Sequence, residues 1–243
     1  MSLIVQKYGG SSLATIERIR EVASRIAQKK KEGNDLVIVV SAMGNSTDDL
    51  LQLAHQVTDS PHKRELDMLL SAGERISMSL LSMALHAIGQ CSISFTGSQS
   101  GIVTDNEHTQ AKIVEVKADR IKEELQQGKI VIVAGFQGVS TTKEVTTLGR
   151  GGSDVTAVAL AVALNAARCE LYKDVDGVYT QDPKLAIHAK KLERCNYDVV
   201  LNMVAQGSQL LHVEAIKLAE KYSLPLYVAS SFNNQLGTTI GTH

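Results

Sequence analysis

The sequence predicts an α/β protein in which helices surround a mainly parallel β-sheet. Short β-rich runs alternate with helical patterns along the 243 residues, as in βαβ units. A hydrophobic content of 44% with 21% charged residues is enough for a large buried core. Nothing repeats and no low-complexity linker divides the chain. We therefore expect one compact domain over residues 1–243.

The first half of the chain carries strands and helices in alternation. Its predicted strands are the apolar runs at 3–5, 36–40 and 91–95 and the run that begins at Lys129. Its predicted helices are a segment after Gly9-Gly10 with Ile16, Ile19, Ala23 and Ile26 on one face, a segment over 50–57, a longer one over about 65–88, and a short one with Ile121 and Leu125.

The second half opens on "GRGGSDVTAVALAVALNA" at 149–166. A helix that is apolar all round is buried, so this stretch predicts a central helix behind a glycine-rich turn. The strand "CELY", the loop "KDVDGVYTQDPK" and a helix follow, the helix with Leu211, Ala215, Leu218 and Tyr222 on one face. The run "PLYVA" from Pro225 is expected to close the sheet.

Composition excludes several classes of protein. The net charge of -1, with both signs interspersed, gives no global field for nucleic acid or membrane. The apolar runs are shorter than the roughly 20 residues that span a bilayer, and the N-terminus lacks a signal-peptide pattern, so we expect a cytoplasmic protein. Cys91, Cys169 and Cys195 form no CxxC pair, and the histidines show no HExxH spacing, so no metal site is predicted.

Glycine turns provide the first functional signal. Gly9-Gly10, "SAMG", "GFQG" and "GRGG" each follow a predicted strand or open a helix. Helix N-termini favour anions, glycines let the backbone approach a phosphate, and open parallel sheets bind ligands beyond the carboxyl ends of their strands. The chain has neither a P-loop nor a GxGxxG pattern. These turns favour a different phosphate site, with plain turns and caps as the alternative.

Several motifs together resemble one family. They are "VQKYGGSS", "SAMGNSTDDL", "SAGERIS", "GSQSGIVT", "GFQG", "TTLGRGGSDVTAVALAVAL", "DVDGVYTQDP" and "SSFNNQLGTTI". In this order they are similar to the catalytic domain of aspartate kinases, within the amino acid kinase superfamily. The resemblance implies a three-layer αβα sandwich of the amino acid kinase, or carbamate kinase-like, fold. It also implies an amino acid-binding half over about 1–150 and a nucleotide-binding half over about 151–243.

The implied reaction is transfer of the ATP γ-phosphoryl group to the β-carboxylate of L-aspartate, which gives 4-phospho-L-aspartate and ADP. It is the first step of lysine, threonine and methionine biosynthesis. A carboxylate is already ionised at neutral pH, so catalysis needs alignment and charge neutralisation but no base. Lys7, beside Gly9 and Gly10, can supply positive charge, and Asp154 can orient it. A simple helix cap is the alternative for Asp154.

The acceptor side needs a cation for carboxylates and an anion for the ammonium group. Arg150 can clamp a carboxylate and Glu74 can bind the ammonium. The resemblance adds substrate-binding roles for three hydroxyl residues, namely Ser41, Thr47 and Ser153. A solvated pair of Glu74 with Arg75 on a helix surface is the alternative.

On the nucleotide side the resemblance implies that Asp174, Asp176 and Tyr179 hold ribose and adenine and that Lys184 meets the phosphates. An acidic hairpin turn or a divalent metal site are the alternatives for this loop. Magnesium is expected to travel with ATP and not in a protein cage. The family usually has a small hydroxyl residue where Lys173 stands and a lysine where Gln209 stands. We therefore predict that Lys173, as a nucleotide-binding residue, partly compensates for Gln209.

Two further departures concern Ala229, where an arginine often stands, and the end of the chain. The family continues into paired ACT domains, whereas this sequence stops at His243. We expect a catalytic domain without them, either truncated or naturally separate. The expected partners are L-aspartate, a second copy in a homodimer and a separate ACT-containing regulatory chain. The alternatives are a relative that acts on another acidic amino acid or UMP, and a non-catalytic ligand-binding subunit.

Overall fold

The structure, a computed structural model, describes residues 2–181 and 188–242. Its strands are β1 Leu3–Tyr8, β2 Asp35–Val40, β3 Ser92–Phe95, β4 Ile102–Thr104, β5 Ile113–Val116, β6 Ile130–Ala134, β7 Gln137–Ser140, β8 Val145–Thr147, β9 Arg168–Lys173, β10 Val178–Tyr179, β11 Lys191–Leu192, β12 Arg194–Cys195, β13 Leu226–Ser230 and β14 Thr238–Ile240. Its α-helices are α1 Ile16–Lys31, α2 Ser46–Val57, α3 Lys63–Leu70, α4 Ala72–Ala87, α5 Asp119–Gln126, α6 Gly152–Ala163, α7 Tyr197–Ala205 and α8 Val213–Lys221.

The main sheet confirms the predicted α/β class. Its eight strands lie in the order β12-β14-β13-β9-β1-β2-β6-β3. Every neighbouring pair is parallel except β13 with β14. The chain extends from β1 first toward β2 and later toward β9, so the direction of winding reverses beside β1. Such a reversal leaves a crevice at the carboxyl ends of the strands, where ligands bind in open α/β sheets.

Helices cover both faces of the sheet and make three layers. Successive strand residues point to opposite faces, and in β1 the side chains of Ile4 and Tyr8 enter one core while Val5 enters the other. The first core packs α1 and α4 against the sheet, and the second packs α5, α6, α7 and α8. Nine of the twelve residues of α6 are buried, as its apolar sequence predicted.

Two small sheets extend beyond these layers. Strands β5-β4-β7-β8 form a four-stranded sheet, and β10 with β11 forms an antiparallel hairpin. The sequence patterns did not indicate the four-stranded sheet, because strands of three or four residues are too short for a periodic signal. Helix α7 was not predicted either.

The predicted helical region over about 65–88 is helical and consists of two helices that part at Ser71, whose φ of -61° and ψ of -16° keep it near helical geometry. Gly73 follows in the first turn of α4, where a Cβ atom would lie 2.8 Å from the Ala42 side chain. One expectation about the elements was wrong. The run that begins at Pro225 does not close the sheet, because β13 pairs with β14, and β12 lies beyond both.

Within residues 2–181 and 188–242, no helix combines the length and the apolarity that crossing a bilayer requires.

Candidate active site

Backbone hydrogen bonds join the carboxyl ends of three central strands, β1, β2 and β6. The amide of Ser41, after β2, donates to the Tyr8 carbonyl at 3.1 Å. The amide of Gly135, after β6, donates to the Val40 carbonyl at 2.9 Å. These bonds bring three of the four predicted glycine turns to one edge of the sheet, where the crevice lies.

Close backbone approach explains the glycine at position 10. A Cβ atom at Gly10 would lie 2.9 Å from the carbonyl oxygens of both Ala42 and Gly44. The amide of Gly44 also donates to the Gly10 carbonyl at 3.0 Å. The turns after β1 and β2 are therefore packed backbone against backbone, which leaves no room for a side chain.

Two lysines and one aspartate form the charged centre of this edge. Lys7 Nζ lies 2.8 Å from Asp154 Oδ1, and Lys173 Nζ donates a hydrogen bond to Asp154 Oδ2 at 3.0 Å. The Lys7 contact is an ion pair by distance, while its angles fall outside those of a hydrogen bond. Lys7 ends near the turn, since a Cβ atom at Gly9 would be 3.6 Å from its Nζ. The cluster of Lys7, Lys173 and Asp154 is called the charge cluster below.

The electrostatics of the charge cluster follow from its burial. Asp154 is 2% exposed, and burial alone would raise the pKa of its carboxyl group, but the charges of Lys7 and Lys173 outweigh burial and hold that pKa well below its usual range. Burial lowers the pKa of Lys173, and Asp154 opposes this effect. With Asp154 ionised and both lysines protonated, the cluster carries a net charge of about +1 toward the crevice.

Asp154 is not a simple helix cap. The N-cap of α6 is Gly151, in the left-handed region with φ 74°, and no side chain caps the helix there. Asp154 lies in the first turn and its carboxylate contacts the two lysines. The capping alternative was wrong, and the role of Asp154 in orienting Lys7 remains a prediction.

Glu74 lies in the first turn of α4 and is 2% exposed. Its Oε1 accepts a hydrogen bond from the Ala42 amide at 3.1 Å, while Oε2 is buried with no partner among the described residues. Burial raises the pKa of Glu74 to about 7, against the opposing effect of the Ala42 hydrogen bond. The alternative of a solvated pair with Arg75 was therefore wrong. An unpartnered buried carboxylate oxygen calls for an explanation, and a cationic ligand group would provide one.

The other predicted acceptor residues differ in their exposure and contacts. The Ser41 carbonyl accepts from Ser77 Oγ of α4 at 2.7 Å, Thr47 is half-buried in the first turn of α2, and Ser153 is buried at the start of α6. The Arg150 side chain is 95% exposed, and its Nη2 lies 4.0 Å from Asp48 Oδ1. Arg150 thus faces solvent on the turn before α6 and does not contact Glu74.

A cleft of about 880 Å³ opens beside the charge cluster. Five of the predicted cofactor or catalytic residues line it, namely Lys7, Gly9, Lys173, Asp174 and Tyr179. The opposite wall consists of residues 206–210 with Met203, and it includes Gln209. Lys184 lies outside the described residues. A smaller cavity of about 470 Å³ between β5, α6 and α8 contains none of the predicted site residues.

The loop after β9 is ordered by polar contacts. Asp176 accepts a hydrogen bond from the Tyr179 hydroxyl at 2.9 Å and forms an ion pair with Lys191 at 3.2 Å. Asp174 is exposed at the mouth of the cleft. In the described part of the chain, no three His, Cys, Asp or Glu side chains converge as a metal site.

Sequence reasoning missed three parts of this site. The wall at 206–210 lines the cleft, and no charged or glycine-rich motif singled it out beyond Gln209. Ser11, which lies in "VQKYGGSS" but had no predicted role, also lines the cleft. His212, for which no role was predicted, lies against the glycine turn before α6. That contact joins residues far apart in sequence, so no local pattern could have revealed it.

Comparison with known proteins defines the class of protein to which this fold and site belong. The model of the amino acid kinase family matches residues 2–230, and the chain belongs to that family. Within it, the chain is similar to aspartokinases: the Corynebacterium glutamicum aspartokinase is 55% identical over 241 residues, which cover 99% of this chain and 57% of that protein. The chain thus spans little more than half the length of this curated relative.

Solved structures agree with this placement. An aspartate kinase from Synechocystis is 45% identical, with a TM-score of 0.90, and the match covers 100% of this chain and 40% of the other. The E. coli aspartokinase III in complex with aspartate and ADP has a TM-score of 0.89 at 24% identity, and the match covers 99% of this chain and 64% of the other. The second likeness shows the fold alone.

Proposed function

We propose that this chain is the catalytic part of an aspartate kinase. It transfers the γ-phosphoryl group of ATP to the β-carboxylate of L-aspartate. The bond between the γ-phosphorus and the β–γ bridging oxygen breaks, a bond to a carboxylate oxygen forms, and ADP leaves with the electron pair. The acceptor is an anion at neutral pH, so no proton has to be removed.

The charge cluster is the observation that carries this proposal. Lys7 and Lys173 lie at the ends of adjacent central strands, paired with the buried Asp154 at 2.8 and 3.0 Å. Both lysines line the cleft. Two ammonium groups that are held in place by one shared carboxylate suit the charge on a transferring phosphoryl group, because they need little reorganisation during the reaction. Gly10 would present its backbone amide nearby, whereas the Gly9 amide donates to the Tyr172 carbonyl at 3.4 Å.

Glu74 supports an amino acid as the acceptor. Its Oε2 is buried and unpartnered in the described structure, and a substrate ammonium would satisfy it and favour its ionised form. A nucleotide acceptor has no such group to offer. We assign carboxylate binding to Arg150 and further contacts to Ser41, Thr47 and Ser153. The aspartate and ADP bound by E. coli aspartokinase III are ligands of the same two kinds.

The cleft is assigned to ATP, with Lys173, Asp174 and Tyr179 along one wall and Lys184 as a further phosphate contact. Mg²⁺ fits as an ion bound chiefly by the ATP phosphates, because the carboxylate of the charge cluster, Asp154, is already occupied by two lysines. When bound, Mg²⁺ supplies further neutralisation of phosphate charge. Residues 1–150 then hold chiefly the amino acid, and residues 151–243 hold chiefly the nucleotide.

A coupled assay of ATP consumption tests the proposal. L-Aspartate, L-glutamate, N-acetylglutamate and UMP are offered as acceptors, and activity is expected with aspartate. Lys7→Ala should lower kcat by at least about 10²-fold, the scale of losing one charge-stabilising donor. Lys29→Ala, at a surface lysine paired with Glu32 on α1, is the matched control. Turnover of UMP in place of aspartate, or full activity in Lys7→Ala, would contradict the proposal.

We further propose that the enzyme works in the cytoplasm as a homodimer and that a separate ACT-containing chain is a candidate regulatory partner. Light scattering coupled to size-exclusion chromatography tests the dimer, since a monomeric mass at micromolar concentration would exclude it.

A further inference from the structure

His212 connects the wall of the cleft to the turn before α6. Residues 206–210 line the cleft, and His212 follows two positions later as the N-cap of α8. Its Nδ1 accepts from the Glu214 amide at 3.3 Å. The ring lies against Gly151: a Cβ atom built there would be 2.7 Å from His212 Cγ and 2.9 Å from His212 Cβ.

Gly151 is a sensitive point for this contact. It has a left-handed φ of 74° and is the N-cap of α6, and its carbonyl accepts from the Asp154 amide at 3.0 Å. Arg150 immediately precedes it and faces solvent. The conformation of Gly151 therefore sets the direction of Arg150 on one side and the start of the helix that carries Asp154 on the other.

The packing around His212 limits which parts of the protein can move when its ring is displaced. Helix α8 packs along α6, and both helices belong to the buried core. The ring thus lies at the start of α8, a helix that packs against α6, and contacts the turn that precedes α6. A change in the wall at 206–210 has a short covalent path, through Leu211, to the ring and from there to Gly151.

We propose that His212 is a positioning residue that couples nucleotide binding in the cleft to the acceptor-binding turn at Arg150 and Gly151, so that the two substrates bind cooperatively. This inference rests on the proposed function. A nucleotide that orders the wall at 206–210 restricts the His212 ring, and the ring in turn restricts the turn. The second substrate then meets a turn that has already lost conformational freedom, which increases its affinity.

Calorimetric titration of the full chain tests the coupling. L-Aspartate is titrated with and without Mg²⁺ and an ATP analogue whose β–γ bridge is an imido group. In the unmodified chain the aspartate Kd should fall at least about 5-fold when the analogue is bound, the lower end of typical coupling between sites.

Two variants separate the ring contact from the helix cap. His212→Ser keeps a side-chain acceptor for the Glu214 amide and lacks the ring, whereas His212→Phe keeps a ring and lacks the acceptor. We expect the effect of the analogue on aspartate to drop below about 2-fold in His212→Ser, with each ligand alone bound within about 2-fold of the unmodified chain. His212→Phe should keep most of the effect. Thermal melts establish that both variants are folded.

The remaining outcomes overturn the inference in distinguishable ways. Coupling that survives in His212→Ser shows that the ring does not transmit it, and coupling that is lost in both variants shows that packing of a ring is insufficient. If the unmodified chain binds both ligands with an unchanged aspartate Kd, the coupling fails and the proposed function stands. If the unmodified chain binds the analogue but binds no aspartate, either with the analogue or without it, then aspartate as the proposed acceptor is contradicted as well.

Discussion

Substitution of Glu74 by glutamine should change how the stability of the protein depends on pH. Burial raises the pKa of Glu74 from its usual 4.5 to about 7, a difference of about 2.5 pKa units at about 1.36 kcal/mol each, or about 3 kcal/mol in total. Because the pKa is higher in the folded protein, the folded state keeps a proton that the unfolded chain releases between these two values. The stabilising contribution is therefore complete below pH 4.5 and is lost as the pH rises through about 7.

Urea unfolding at pH 5 and pH 8 measures this effect. The free energy of unfolding of the unmodified chain should fall by about 2 to 3 kcal/mol relative to Glu74→Gln between these pH values, since glutamine cannot ionise. The amide that replaces the unpartnered Oε2 adds an offset that does not vary with pH and so cancels in the comparison. Glu32→Gln, at a surface side chain that is 49% exposed, is the matched control.

A relative change below about 0.5 kcal/mol would refute the reasoning, because ionisation of a buried, unpartnered carboxyl group must affect stability on the scale of its pKa change. A change of the expected size in Glu32→Gln would refute it equally, because the effect would then not be specific to the buried site.

The same group and its neighbours lead to three more predictions. Aspartate binding near pH 6.5 should release a proton from Glu74, and the binding heat should therefore depend on the buffer. Glu74→Gln should abolish that dependence, and a dependence that persists in the variant would contradict the prediction. Lys173→Thr should raise the KM for ATP much more than the KM for aspartate, and an unchanged KM for ATP would exclude the compensation of Gln209 by Lys173. Gly10→Ala should reduce the free energy of unfolding by about 1 to 3 kcal/mol, because its Cβ atom would meet two carbonyl oxygens at 2.9 Å; urea unfolding with no loss would show that the turn can open.

Sequence patterns were most informative where one physical requirement dominated. The apolar stretch behind "GRGG" predicted a buried helix, and α6 is buried over most of its length. The alternation of strands with helices predicted the parallel sheet. The proximity of Lys7 to Asp154 followed from the glycine turns taken with the resemblance, and the two side chains are in contact at 2.8 Å. The binding roles of these residues remain predictions.

Features that depend on tertiary contacts were outside the reach of sequence patterns. The break between α3 and α4 occurs at Ser71, whose own backbone stays near helical geometry. Gly73, just beyond the break, lies so close to Ala42 that a Cβ atom there would be 2.8 Å from the Ala42 side chain, and no local pattern reveals that contact. The pKa of Glu74 depends on its burial. Its charged neighbour Arg75 in "SAGERIS" instead favoured a pair exposed to solvent. Likewise, the contact of His212 with Gly151 exists only because α8 packs beside α6.

The two lysines of the charge cluster come from adjacent strands, β1 and β9, deep inside an eight-stranded sheet. Lys7 pairs with Leu171, so Lys173 lies two residues further along the neighbouring strand. The spacing of the two lysines is therefore fixed by the register of β1 with β9 and cannot be adjusted without disturbing the middle of the protein. Glu74 and Thr47, in contrast, lie on α4 and α2, and α2 contains no fully buried residue. Laboratory evolution toward a different acceptor should accordingly accumulate its changes in and around these two helices and leave β1 and β9 untouched.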